Sequence, residues 1–241
     1  MRTAPEFAIE KSLAIESENV RWFRLLFLCQ SIKDISGSVA ERKSGTDFLL
    51  RTPHGWVRIE NKFEQYASGN LTLELVSVDR PTPIPGWFFT SQTAWLFSWF
   101  TPSAELVVMP MAALREQVLK NLLRTENTTT AYNRSKSRHS PAYCSWSTLE
   151  RIEYLLRTVP GAMWLDMAYE LGAPRERSPM LTQHAAQQVD TDTLMARLHA
   201  GPVHSKPIAS PEFHSLMHRM WPFNRRQHDQ RTQEMYNLLV H

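Results

Sequence analysis

The ten residues Gly-Trp-Val-Arg-Ile-Glu-Asn-Lys-Phe-Glu at positions 55–64 constrain the fold more than any other stretch of this chain. Apolar and charged residues alternate there with the period of a β-strand. As a strand, Val57, Ile59 and Phe63 face a core, with Asn61 the one polar residue on their side. Arg58, Glu60 and Lys62 face the other way, and Glu60 and Lys62 become next neighbours about 7 Å apart. The run Thr-Asp-Phe-Leu-Leu-Arg-Thr (46–52) reads as a strand that reaches this one through a tight turn at Pro53, His54 and Gly55. Asp47 opens that run, where a hairpin brings it beside Glu60.

The surrounding chain reads as an α/β protein. Residues 17–33 carry a helical stripe of Trp22, Leu25, Cys29 and Ile32, with Ser17 as N-cap. The polar, Gly-containing segment that follows reads as a loop or a short irregular strand. Residues 70–78 read as a third strand, and the short connections favour an antiparallel meander of 46–52, 55–64 and 70–78. A Pro-rich break at 80–86 leads to an expected helix over 90–100, a short apolar strand at 105–110 and an amphipathic helix over 111–124. Strands with helices on either side predict a sheet covered on both faces.

Residues 125–147 are polar and basic and read as a loop or flap. Beyond them the chain reads as mainly helical, with segments at 149–159, 163–172, 191–200, 211–221 and 230–240. The expected division is a domain of 1–147 and a helical C-terminal region of 148–241. That region has helix–turn–helix rhythm around Val159-Pro160-Gly161, but its second helix is acidic, which speaks against groove reading.

Bulk properties set few limits. The chain has 241 residues, enough for one large domain or two modest ones, and a formal charge of +3 that neither demands nor discourages a nucleic-acid partner. Two cysteines, Cys29 and Cys144, are too few for a disulfide framework. The first residues carry charges where a secretion signal needs an apolar run, and the most apolar stretch, 87–100, is too short and too interrupted for a membrane span. The expected compartment is the cytoplasm, with no membrane partner.

Asp47, followed thirteen positions on by Glu60-Asn61-Lys62, resembles the D…(D/E)xK signature of the PD-(D/E)XK nuclease superfamily. The expected order of helix, three-stranded meander, helix and strand resembles that superfamily's restriction-endonuclease-like core. Gly69 to Glu74, Gly86-Trp87 and Thr90 to Ala94 are similar to the segment after the motif in phage- and plasmid-borne members. The resemblance covers residues 17–124. The proline that gives the family its name is absent, and Gly45 and Thr46 stand before Asp47.

The resemblance implies a metal-dependent nuclease of mobile-element origin that hydrolyses phosphodiester bonds in DNA, with RNA left open. Asp47 and Glu60 then bind Mg²⁺ or Mn²⁺ through hard oxygen ligands, and Lys62 assists the attacking water. A second triplet, Glu41-Arg42-Lys43, lacks flanking apolar alternation. The competing reading makes Glu60 and Lys62 an ordinary surface charge pair on a strand. It leaves the chain a non-catalytic nucleic-acid-binding or protein-interaction module on the same fold.

Supporting residues divide between function and structure. Glu18 either joins the metal site or complements a helix N-terminus. Glu74, an acid in an apolar run, either supports the site or marks an edge strand. Gln92 either reaches the scissile phosphate or is a solvated residue of a first helical turn. Arg134, Lys136 and Arg138, beside Tyr132, suit contacts to nucleic-acid phosphates, although basic runs are more often solvated loops. His214 and His218 have metal-compatible spacing but lack a third ligand, so surface positions are the simpler reading. Whether the chain forms a homodimer is open.

Overall fold

The computed structural model describes residues 20–28, 30–36, 44–64, 68–78, 84–123, 129–134, 144–208 and 211–215. Two sheets organise them. The first has six strands in the order β1 (Ile32–Asp34), β2 (Phe48–Thr52), β3 (Gly55–Glu64), β6 (Trp95–Phe100), β7 (Glu105–Pro110) and β10 (Met163–Asp166). Its strands pair antiparallel except β3 and β6, which run parallel. The second sheet has the order β5 (Ile84–Pro85), β4 (Asn70–Val78), β9 (Cys144–Arg151) and β8 (Thr129–Arg134). The protein is therefore α/β with a mixed sheet, and no helix among the described residues is long and apolar enough to cross a membrane.

Alternation along the strands sends side chains to two cores, one on each face of the first sheet. On one face Phe48, Leu50, Val57, Ile59, Phe97 and Val108 meet Phe23 and Phe27 near the start of the described chain and Leu194 and Leu198 of the helix Thr191–Ala200. The rings of Phe23 and Phe48 stack with centroids 4.0 Å apart. On the other face Leu96, Phe100, Val107, Met109 and Trp164 meet Leu71, Leu73 and Leu75 of β4, Leu114 and Val118 of the helix Met111–Leu123, and Phe213. Burying a side chain of this size contributes roughly 1.5–3 kcal/mol, so these two layers carry most of the folding drive.

Several elements depart from the sequence reading. The expected helix over 90–100 is β6, preceded by a four-residue helix, Trp87–Thr90. All six residues of β6 are buried, so both faces are apolar and no period-2 signal remains. The antiparallel meander is β1–β2–β3, and its first strand overlaps the end of the stretch 17–33 expected as helix. Residues 20–26 are helical, and the chain turns at 27–28 before β1. The strand 70–78 forms where expected but leaves the meander, pairing with β9 and β5. A register shift between Glu74 and Val76 lets Leu75 and Val76 both enter the core.

The polar stretch 125–147 contains β8 and the start of β9 rather than a loop alone. The segments expected as helices at 149–159 and 163–172 each begin as strand, β9 and β10, and turn helical only at Ile152 and Met167. Position 147/148 thus falls inside β9, and the chain beyond it supplies β10 to the first sheet. The expected strand 105–110 forms with those bounds, and the helix expected to follow it spans Met111–Leu123.

Candidate metal-binding site

Asp47, Glu60 and Lys62 come together on one face of the first sheet. Phe48 pairs with Ile59, and continuing that register by one residue sets Asp47 opposite Glu60. The Asp47 amide donates to the Ile59 carbonyl at 3.0 Å, and the Asn61 amide donates to Asp47 Oδ2 at 2.8 Å. The loop before Asp47 is held from outside. Gly45 has φ 63°, and a Cβ there would lie 3.0 Å from the Ser91 Cβ. Ser91 Oγ donates to the Gly45 carbonyl at 3.3 Å, and the Gln92 amide donates to the Ser44 carbonyl at 2.8 Å. Glycine at position 45 therefore answers two demands, a left-handed backbone and a close approach.

Glu60 is 2 % exposed. Its Oε1 pairs with Lys62 Nζ, while its Oε2 is buried without a hydrogen-bond partner. Burial is the main reason its pKa is pushed up to about 7; Lys62 opposes the shift and the Asp47 charge reinforces it. For Lys62, burial works hardest against the charge, but Glu60, Asp47 and Glu74 together outweigh it and hold the pKa above its ordinary value. Its side chain is nonetheless 37 % exposed, and Nζ lies 4.8 Å from the centroid of the Trp87 ring. Lys62 is thus fixed between a carboxylate and an indole rather than loose on a surface.

The neighbouring parallel strand adds a residue that sequence reasoning missed. Ser98 pairs with Lys62, shares its face, and is fully buried with its Oγ unpartnered. The signal is hidden because the run around Ser98, apolar on both faces, reads as helix in the sequence. The contact of Trp87 with Lys62 has no signature in the sequence. On the opposite face Asn61, the polar exception, accepts a 2.6 Å hydrogen bond from Trp99 Nε1.

The other expected site residues are scattered. Glu74 lies on β4, accepts a 2.6 Å hydrogen bond from Ser77 Oγ, and adds its charge to the field at Lys62. Gln92 is not helical: its side chain is exposed, and its backbone bridges Ser44 and Ser205. Arg134 ends β8, paired with Cys144. His214 is exposed. Glu18, Cys29, Lys136, Arg138 and His218 lie outside the described residues.

Among the described residues, no group of three or more histidine, cysteine, aspartate or glutamate side chains is arranged to hold a metal ion. The donors at hand are the carboxylates of Asp47 and Glu60. They fit a hard divalent cation in their chemistry, and the buried, unpartnered Glu60 Oε2 is an acceptor that such a cation would satisfy. Comparison of the chain with models of known protein families, with curated proteins and with solved structures found no match.

Proposed function

We propose that the chain is a metal-dependent nuclease hydrolysing phosphodiester bonds in DNA. The observation that carries this reading is the buried Glu60 Oε2, left without a hydrogen-bond partner beside Asp47 and Lys62. A buried carboxylate oxygen costs free energy unless something satisfies it, and a divalent cation does so. The element order adds support. The residue 20–26 helix precedes the antiparallel β1–β2–β3, and β6 runs parallel to β3, with β4, β5 and the four-residue helix Trp87–Thr90 between them.

In this reading Asp47 and Glu60 hold Mg²⁺ or Mn²⁺, which when bound polarises a phosphoryl oxygen and acidifies a water. Lys62 keeps its proton and stands as a fixed cation toward charge developing on the phosphate. Trp87 limits how far its ammonium group can swing. The Asn61 amide keeps the Asp47 carboxylate turned toward the same place.

The test is cleavage of plasmid, single-stranded DNA and structured RNA by purified protein with Mg²⁺ or Mn²⁺. Cleavage should fall at least a hundredfold in Asp47→Ala and Lys62→Ala, a typical cost of removing a charge-stabilising group. No cleavage of any substrate, or full activity in both variants, overturns the reading. A second reading, a non-catalytic nucleic-acid-binding or protein-interaction module, is favoured by the Glu60–Lys62 pair, in which each charge already has a partner. Calorimetric titration with Mn²⁺ separates the two, because only the first predicts binding that Asp47→Ala abolishes.

A further inference from the structure

Alternation along β3 puts Trp56 on the same face as Arg58, Glu60 and Lys62. Arg51 pairs with Trp56 across β2 and β3, and Lys33 pairs with Leu49 on the next strand out. The side chains confirm the shared face. Lys33 Nζ lies 4.4 Å from the centroid of the Trp56 ring, and the Arg51 guanidinium carbon 5.5 Å. Both cations are exposed, and neither forms an ion pair with a carboxylate among the described residues. The nearest acid on β1, Asp34, belongs to the other face and pairs with Arg24.

Two like charges converging on one ring without a carboxylate repel each other, and an anion placed between them relieves that cost. The ring offers a flat face for a base or sugar. Trp56 lies four residues along β3 from Glu60, about 13 Å, which is close to four base steps along a duplex. We infer that Lys33, Arg51 and Trp56 form a strip that grips the phosphate backbone of a nucleic-acid strand running along this sheet face to Asp47 and Glu60. This rests on the nuclease reading for its direction, but the grip itself needs no metal.

The experiment uses the full chain with fluorescein-labelled DNA, one a 20-nucleotide strand and the other the matching 20-base-pair duplex. Anisotropy is read in EDTA across a salt series. Each phosphate contact contributes about 0.9 to the slope of log K against log salt on duplex and about 0.7 on a single strand. The double variant Lys33→Ala/Arg51→Ala should flatten the slope by roughly 1.4–1.8 and weaken binding on the order of 50-fold at 0.1 M salt. The charge-conserving Lys33→Arg/Arg51→Lys variant should retain most affinity, and thermal melts should find both variants folded.

Unchanged affinity and slope in the alanine double variant overturn the strip, as does an equal loss in the charge-conserving variant. Wild-type protein that binds neither probe at any salt also overturns it, and leaves the site with a different partner. Binding that depends on the strip, in protein that never cleaves with Mn²⁺, supports the strip and removes the nuclease reading. Cleavage that is indifferent to the alanine double variant removes the strip and keeps the nuclease.

Discussion

The backbone amide of Asn61 and the carboxylate of Asp47 are joined by a 2.8 Å hydrogen bond. This one contact ties the residue between Glu60 and Lys62 to the acid that opens the neighbouring strand. Its donor is a strand amide, so the Asp47 carboxylate is aimed by the sheet itself. Asp47→Asn keeps an acceptor oxygen at the same place, whereas Asp47→Ala leaves the amide with none. Denaturant unfolding should find the alanine variant destabilised by about 1–3 kcal/mol and the asparagine variant by less than about 1 kcal/mol. Equal losses would mean that the hydrogen bond does not position the acid.

Glu60 makes stability depend on pH with an unusual sign. Its folded pKa, about 7, lies above the ordinary carboxylate value of 4.5, so the folded state holds a proton that the unfolded state has released. Its contribution is fully present below about pH 4.5 and is lost as pH rises through about 7. In metal-free buffer the stability of wild-type protein should therefore fall across that window relative to Glu60→Gln, by a few kcal/mol on the order given by linkage. Urea melts at a series of pH values measure the difference. Asp47→Asn should narrow the window from its upper end, because the Asp47 charge is one of the influences raising Glu60.

Gly45→Ala tests the loop that presents Asp47. A left-handed backbone costs an alanine roughly 1–2 kcal/mol, and the contact with the Ser91 Cβ adds to it. A loss of about 2–3 kcal/mol is expected. Ser91→Gly in the same chain should recover only the contact portion, since the backbone conformation remains. Full recovery would show that the left-handed geometry carries no strain.

Arg115 is a buried cation held by uncharged acceptors. Its Nε donates to the Phe88 carbonyl at 2.7 Å, one terminal nitrogen reaches Ser205 Oγ at 3.1 Å and the Lys206 carbonyl at 2.8 Å, and the other reaches the Ser91 carbonyl. Burial lowers its pKa to about 10. Arg115→Met should cost about 3–5 kcal/mol, because several buried acceptors lose their donor at once. Arg115→Lys cannot reproduce the planar fork and should recover less than half of that in denaturant unfolding. If Arg115→Lys is as stable as wild type, the fork geometry is irrelevant.

Part of this architecture was legible beforehand. The alternation from Gly55 to Glu64 separated Ile59 and Phe63 from Glu60 and Lys62, and the turn after Thr52 placed Asp47 across from Glu60. These features are local, and strand period and turn chemistry encode them directly. The assignment of β4 was not legible. Its buried Leu71, Leu73 and Leu75 satisfy either sheet equally well, and what decides is β9, some seventy residues further on. The strand β6 was hidden for the opposite reason. Trp95, Phe97 and Trp99 feed one core while Leu96 and Phe100 feed the other, and a strand apolar on both sides has no contrast from which to read a period.

The way β4 is held has a temporal side. The hairpin of β2 and β3, with its Asp47–Asn61 contact, spans fewer than twenty residues and can close as soon as it leaves the ribosome. β4 follows within a few residues, yet its partner β9 ends only at Arg151, and β10 reaches the edge of the first sheet later still. A nascent chain halted before β9 leaves the edge of β4 that pairs with it unpaired. The carboxylates are therefore aligned early in synthesis, while the strand that fixes β4 in its sheet arrives some seventy residues later.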